Sequence, residues 1–174
     1  MRSSRFLCLW APSVCLLLSV FSGSAGAQSF QCQANAGVPA RVRGEGRSEL
    51  VSDMLLYCSG AVPFAITANI QIFLSTSITS RITDTAINKT EALLILGEPE
   101  PSAQVLAGNV FQGVKAGDNS LLWLNVPIIV PPATTQIIRI TNVRANANQV
   151  FDPAWTFIPP QITMLVTVTR SVTA

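Results

Sequence analysis

Three acidic residues spaced four apart are the first candidates for chemistry in this sequence. They are Glu45, Glu49 and Asp53. Paired carboxylates perform acid–base catalysis when the fold holds them about 5–9.5 Å apart in a cleft. A helix would place them on one face, but the surrounding residues are typical of a loop followed by a strand. We therefore expect three solvated surface charges rather than a catalytic set.

The sequence contains no histidine. This excludes a His-containing catalytic triad, a His-ligated zinc site and a His-based pH switch, and it removes the commonest general base. The nucleophile-elbow, S-x-x-K and glycine-rich phosphate-loop motifs are also missing from the sequence. A hydrolase that uses carboxylates stays open as an alternative. Our prediction is a protein that is not an enzyme and that takes no cofactor and no metal.

Two turn-like segments carry oxygen atoms that suit Ca²⁺. They contain Asp118, Asn119 and Ser120 in one case and Glu98 and Glu100 in the other. Ca²⁺ takes about six to eight oxygen ligands, and the sequence holds no repeat of the EF-hand kind. Both segments also read as ordinary turns, so Ca²⁺ is the weaker interpretation.

The tryptophans differ in their surroundings. Trp123 lies in an apolar run and is expected in the core, whereas Trp155 lies in a proline-rich loop and is the better candidate for an exposed aromatic. Asp152, Asn148 and Asn146 lie close to Trp155 in the sequence. An exposed aromatic ring with polar neighbours is typical of sugar binding. The alternative function is therefore a carbohydrate- or ligand-binding module that uses these four residues.

Residues 1–27 have the pattern of a cleaved secretory signal peptide. Arg2 and Arg5 precede an apolar stretch over residues 6–21, and Ala-Gly-Ala closes the segment at residues 25–27. A membrane anchor is the weaker alternative, because a spanning helix needs about 20 apolar residues. We predict a mature domain over residues 28–174, secreted or held in the cell envelope, periplasmic or extracellular, with no membrane span.

Loss of the signal peptide changes the charge and the cysteine count. Without Arg2 and Arg5 the chain keeps nine basic and nine acidic residues, so a nucleic acid is an unlikely partner. Of the four cysteines only Cys32 and Cys58 remain. Export favours oxidation, so we predict a Cys32–Cys58 disulfide. A redox or nucleophilic cysteine is the alternative, but it lacks a C-x-x-C pair and a histidine partner.

The dominant apolar period is two, which is typical of half-buried antiparallel strands. Alternation is clearest over residues 66–74, and runs rich in β-branched residues or with weaker alternation predict further strands. These are 38–42, 50–58, 77–82, 92–96, 104–112, 121–130, 137–143 and 162–168. Pro127 predicts that 121–130 is an edge strand or two short pieces. One helical turn is possible at 84–90.

Turn signals separate these strands, so the predicted fold is all-β. We expect a single antiparallel β-sandwich of eight or nine strands, immunoglobulin-like or Greek-key, that follows the signal peptide.

Two strings in the sequence carry a resemblance to a known group of proteins. They are VRGEGRSELVSD at residues 42–53, continuing to LYCSG at 56–60, and RITNVRANA at residues 139–147. Together they resemble exported β-rich bacterial proteins of uncharacterised function, common in acidobacteria. The resemblance implies a secreted β-sandwich and brings no catalytic residue with it. We expect a structural, adhesive or surface-interaction role toward a protein or glycan partner at the cell surface.

Overall fold

The computed structural model describes residues 30–36, 41–60, 64–131, 134–151, 159 and 161–171. These residues form eleven β-strands and two short 3₁₀ turns, so the predicted all-β class is confirmed. The strands are β1 (Phe30–Asn35), β2 (Glu49–Leu50), β3 (Met54–Gly60), β4 (Phe64–Leu74), β5 (Ile82–Asp84), β6 (Lys89–Leu96), β7 (Val110–Gly117), β8 (Ser120–Val130), β9 (Thr135–Thr141), β10 (Arg144–Ala145) and β11 (Met164–Arg170).

Nine of these strands form one antiparallel sheet. The order is β1-β3-β9-β6-β7-β8-β4-β11, with β5 paired to β6, while β10 and β2 form a separate two-stranded sheet. β6, β7 and β8 follow one another as neighbours, and β9 then returns to lie beside β6, which is a Greek-key connection. The large sheet curls over itself like a sandwich or a nearly closed barrel, because strands from both of its halves share one core.

The alternation over β4 builds that core. Ala68, Ile70, Ile72 and Leu74 are buried and point inward, while the residues between them lie on the outer face. Strands β3, β6, β8 and β9 supply the opposing side chains of the same cluster. Because alternate side chains of a strand point to opposite faces, the period of two in the sequence places apolar residues in the interior and polar residues on the exterior.

Several predicted strand boundaries were wrong. Leu50 is exposed rather than part of the buried face of β3, because the chain leaves β2 at Leu50 and re-enters the main sheet at Met54. The 104–112 run forms a strand only from Val110 onward. Residues 77–82 contribute one isolated bridge at Ile78 before β5 begins. Residues 84–90 form the end of β5, a turn and the start of β6 instead of a helical turn.

Pro127 does not split its strand, and β8 is not an edge strand. β8 runs without interruption from Ser120 to Val130 and lies between β7 and β4. However, β7 pairs with β8 only as far as Leu122, so Pro127 has a ladder partner on one side alone, at Thr67. A proline is tolerated there because its missing N–H interrupts no ladder. The register also shifts beside Asn125, whose φ is 55°, so a bulge bends β8 at this point.

Cys32 and Cys58 lie opposite each other on β1 and β3, with an S–S distance of 2.09 Å. The predicted disulfide is therefore present. It joins neighbouring strands of the main sheet, and it connects β1, whose one partner among the described strands is β3, to a fully buried position of the core.

Candidate functional site

The two distinctive strings of the sequence meet in space. Leu50 and Glu49 pair with Arg144 and Ala145 as the β2–β10 ladder. The Val51 N–H donates to the carbonyl of Val143 at 2.9 Å. We call residues 42–53 and 139–149 together the motif cap. Its two halves are distant in sequence, and a backbone ladder joins them.

A third segment, residues 76–80, closes the motif cap from its other side. The Thr79 N–H donates to the carbonyl of Arg144, and the Asn146 N–H donates to the carbonyl of Ser77, both at 2.9 Å. The Gln149 side chain accepts from the Ser77 N–H at 2.8 Å. Backbone N–H and C=O groups of this segment are thus hydrogen-bonded although the segment does not join the main sheet, and buried backbone groups need such bonds.

Arg139 carries the charge contacts at one end of this region. Its Nη1 lies 3.2 Å from Oδ2 of Asp53, and its Nε and Nη2 both donate to Oε1 of Glu98. The Thr141 hydroxyl donates to Oδ1 of Asp53 at 2.7 Å. The hydrogen bond to Glu98, together with both carboxylates, raises the pKa of Arg139 above its ordinary value. The guanidinium therefore links the segment before β3, the end of β6 and the strand β9.

Glu91 forms a second set of ion pairs on the outer face. Its Oε1 lies 3.2 Å from Nε of Arg144, and its Oε2 lies 3.8 Å from Nε of Arg81. The Asn142 amide donates to the Glu91 carbonyl at 2.9 Å. These contacts connect the motif cap to β6. In them Glu91 is paired with arginines and does not face a second carboxylate.

The structure does not bring the three evenly spaced acids together. Glu49 pairs with Arg43 at 3.5 Å, Asp53 pairs with Arg139, and Glu45 is exposed. Glu45 is exposed as expected, whereas the side chains of Glu49 (19% exposed) and Asp53 (38% exposed) keep part of their solvent contact and are ion-paired. Glu49 lies beside Arg43, six residues before it in the sequence, whereas Asp53 lies beside Arg139 of β9, which is distant in sequence.

Replacing Arg139 with glutamine is expected to lower the free energy of unfolding by about 1–2 kcal/mol. The variant leaves Asp53 and Glu98 without their shared cation, but the loss is limited because the Arg139 side chain is 38% exposed. Urea unfolding measures it. Arg47→Gln, at an exposed arginine with no ion pair in the described part of the chain, is the matched control. The difference between the variants should shrink in 1 M salt, and equal stabilities at low salt would contradict the linking role.

The predicted ligand-binding residues are only partly described. Asp152 and Trp155 lie outside the described residues. Asn146 precedes a 3₁₀ turn, and its Oδ1 is buried with no hydrogen-bond partner among the described residues. Asn148 is exposed, and its N–H donates to the carbonyl of Gly46 at 3.1 Å. The carbohydrate-binding interpretation stays a prediction.

The segments considered for Ca²⁺ have other structural partners. The Asn119 amide donates to the carbonyl of Leu74 at 3.0 Å, and the Asp118 carbonyl accepts from the Ile78 N–H. Glu98 is bound to Arg139. Across the described ranges no three cysteine, aspartate or glutamate side chains form a group that could hold a metal ion.

Two surfaces emerge that the sequence did not single out. One is the outer edge of β11, which pairs with β4 and with no other strand of the described residues. The other is a cleft of about 350 Å³ where β7 and β8 separate. Strand pairing between distant segments creates both, so no local motif marks them. The uncharged β-branched run at residues 164–169 was the one available signal for the edge.

Comparison with family models, curated proteins and solved structures finds no match for this chain. Among the residues that the structure describes, no helix has the length and apolar character needed to cross a bilayer.

Proposed function

We propose that the chain is an exported, non-catalytic β-sandwich module that assembles with a second copy through the edge of β11. The observation that carries this proposal is the edge itself. β11 has seven residues, no proline and a single charge at Arg170. Edge strands without charges, prolines or bulges readily pair with another strand.

The pairing of β11 with β4 defines which groups face outward. The Ser171 N–H donates to the Thr67 carbonyl at 2.8 Å, so position 171 and every second residue before it direct their N–H and C=O groups toward β4. The backbone groups of Met164, Val166, Val168 and Arg170 therefore point to the free edge. These four residues form the donor and acceptor row that a second strand would use.

A twofold antiparallel contact centred on Thr167 fits this row. It would place Val166 opposite Val168 of the second copy as a hydrogen-bonded pair, and Thr167 opposite its own copy as the closer, non-bonded pair. Arg170 would face Met164 of the second copy, which keeps the two arginines apart. Leu165, which is 62% exposed, would gain apolar cover from its new neighbour, Thr169.

Export is part of the same proposal. The pattern of residues 1–27 supports a signal peptide, and the Cys32–Cys58 bond is typical of proteins that mature in an oxidising compartment. These two features support a place outside the cell or in its envelope, with a structural or surface-interaction role. The finer assignment to an immunoglobulin-like sandwich is likewise a proposal, supported by the Greek-key connection.

Light scattering at several concentrations tests the assembly. We expect a dimer whose dissociation constant rises about fivefold in Thr167→Lys, because two lysines would then lie directly opposite and cost about 1 kcal/mol. Thr167→Glu should weaken it similarly, and an equimolar mixture of the two variants should restore it. Gln33→Lys places the same charge on the other edge strand, β1, and should leave the dimer unchanged. A wild-type protein that stays monomeric at every concentration would refute the proposal.

A further inference from the structure

A cleft opens between β7 and β8 where the two strands separate. The two strands pair only near their shared turn, from Val114 opposite Leu122 to Gly117 opposite Ser120. Beyond that point β7 continues beside β6, and β8 continues beside β4. A turn at residues 105–109 folds along the released part of β7, where the Ala107 N–H donates to the Val110 carbonyl at 2.9 Å. We call this opening the β7–β8 cleft.

The lining of the β7–β8 cleft is mainly apolar, with a volume of about 350 Å³. Val110 and Trp123 are buried at its base, while Leu106 and Leu124 are exposed at its rim. Small-molecule sites in proteins begin at about this volume and combine apolar walls with a few polar groups. A ligand that covers the exposed leucines at the rim removes apolar surface from water, and this burial stabilises the complex.

Two polar side chains complete the lining, and they differ in whether protein groups already bind them. The Gln112 amide already donates to the Thr90 carbonyl at 3.4 Å and to the Thr83 hydroxyl at 3.3 Å. Lys89 is the one charged residue of the lining, and it takes part in none of the ion pairs of the described residues. The lining therefore presents an apolar surface with a single positive charge, and outside the lining the exposed Asp84 lies opposite Lys89 in the β5–β6 register.

We propose that the β7–β8 cleft binds a small apolar carboxylate. The hydrocarbon part would lie against Leu106, Val110 and Leu124, and the carboxylate would face the Lys89 ammonium. Charge complementarity selects an anion because, among the described residues, no acidic side chain lines the cleft. The inference is independent of the proposed dimer, since β4 lies between β8 and the β11 edge.

Calorimetric titration of the purified full protein with octanoate and with octanol tests the inference. We expect octanoate to bind wild type and to bind about threefold more weakly to Lys89→Gln, since a partly exposed ion pair contributes modestly. Octanol binding should be the same in both proteins. Arg47→Gln removes an equal charge elsewhere on the surface and should leave octanoate binding unchanged. Leu124→Asn should weaken both ligands about fivefold or more by removing apolar cover.

Other results would overturn the inference. No octanoate binding to wild type would do so, and so would equal weakening by Lys89→Gln and Arg47→Gln. Loss of binding in Trp155→Ala, with Lys89→Gln unaffected, would assign the ligand to the neighbourhood of Trp155 instead of the cleft. Thermal unfolding of each variant checks that it is folded. Unchanged octanol binding by Lys89→Gln checks that the substitution leaves the apolar part of the cleft intact.

Discussion

Replacing Trp123 with alanine is expected to lower the free energy of unfolding by about 3–5 kcal/mol. Trp123 is 1% exposed and is the largest side chain of the buried cluster. Its indole N–H donates to the Phe111 carbonyl at 3.1 Å, and its ring packs so closely on Gly113 that a Cβ there would lie 2.9 Å from Cζ2. Alanine would leave a cavity and a carbonyl without its donor.

Urea unfolding with tryptophan-independent detection, such as far-ultraviolet circular dichroism, measures this loss. Leu124→Ala is the matched control, because the adjacent residue is 55% exposed and should cost below about 1 kcal/mol. The loss of unfolding free energy in Trp123→Phe should lie between the losses in Trp123→Ala and Leu124→Ala. Phenylalanine keeps part of the ring volume but lacks the indole N–H that donates to the Phe111 carbonyl. Similar losses for Trp123→Ala and Leu124→Ala would show that Trp123 is not in the core.

Removing the disulfide is expected to have the second largest effect. The double variant Cys32→Ala with Cys58→Ala should lose about 3–4 kcal/mol, because the bond closes a loop whose ends are 26 residues apart. The loss should concentrate in β1, which has β3 as its only described partner. Amide exchange in residues 30–35 should then become faster than in β3.

Reductant provides the control for this prediction. The unfolding midpoint of wild type should fall in strong reductant toward that of the double variant, and the midpoint of the double variant should not move. Thiol titration of the native wild-type protein should find neither Cys32 nor Cys58 reactive. Two titratable thiols at these positions in the native protein would contradict the bond.

Local pattern was enough to predict the strands of the core. The alternation at residues 66–74 identifies a strand and its inward face together, and the β-branched runs that became β9 and β11 identify strands, since these signals depend on neighbouring residues. Trp123 was correctly expected in the core for the same reason. Pro127 was misread because the role of a proline depends on which side of the strand is paired, and that pairing is set by β4 and β7.

The motif cap and the candidate surfaces were beyond prediction from the sequence. The contact between Asp53 and Arg139 joins residues 86 positions apart, and nothing near either residue specifies its partner. β7 and β8 separate beyond Leu122, close to the register shift beside Asn125 and to the turn at residues 105–109, and both positions fall within predicted strands. Such features arise from the order in which strands pair, and the apolar periodicity of a sequence does not specify that order.

Cross-linking of Thr167→Cys tests the proposed assembly most directly. In the twofold pairing the two cysteines at position 167 would face each other as a non-hydrogen-bonded pair, at a separation that suits a disulfide. Thr169→Cys is the matched control, because it would face Leu165 of the second copy. Under mild oxidation at dilute protein concentration, we expect a covalent dimer to form much faster with Thr167→Cys than with Thr169→Cys. Equal rates, or no dimer with either variant, would contradict pairing through the β11 edge.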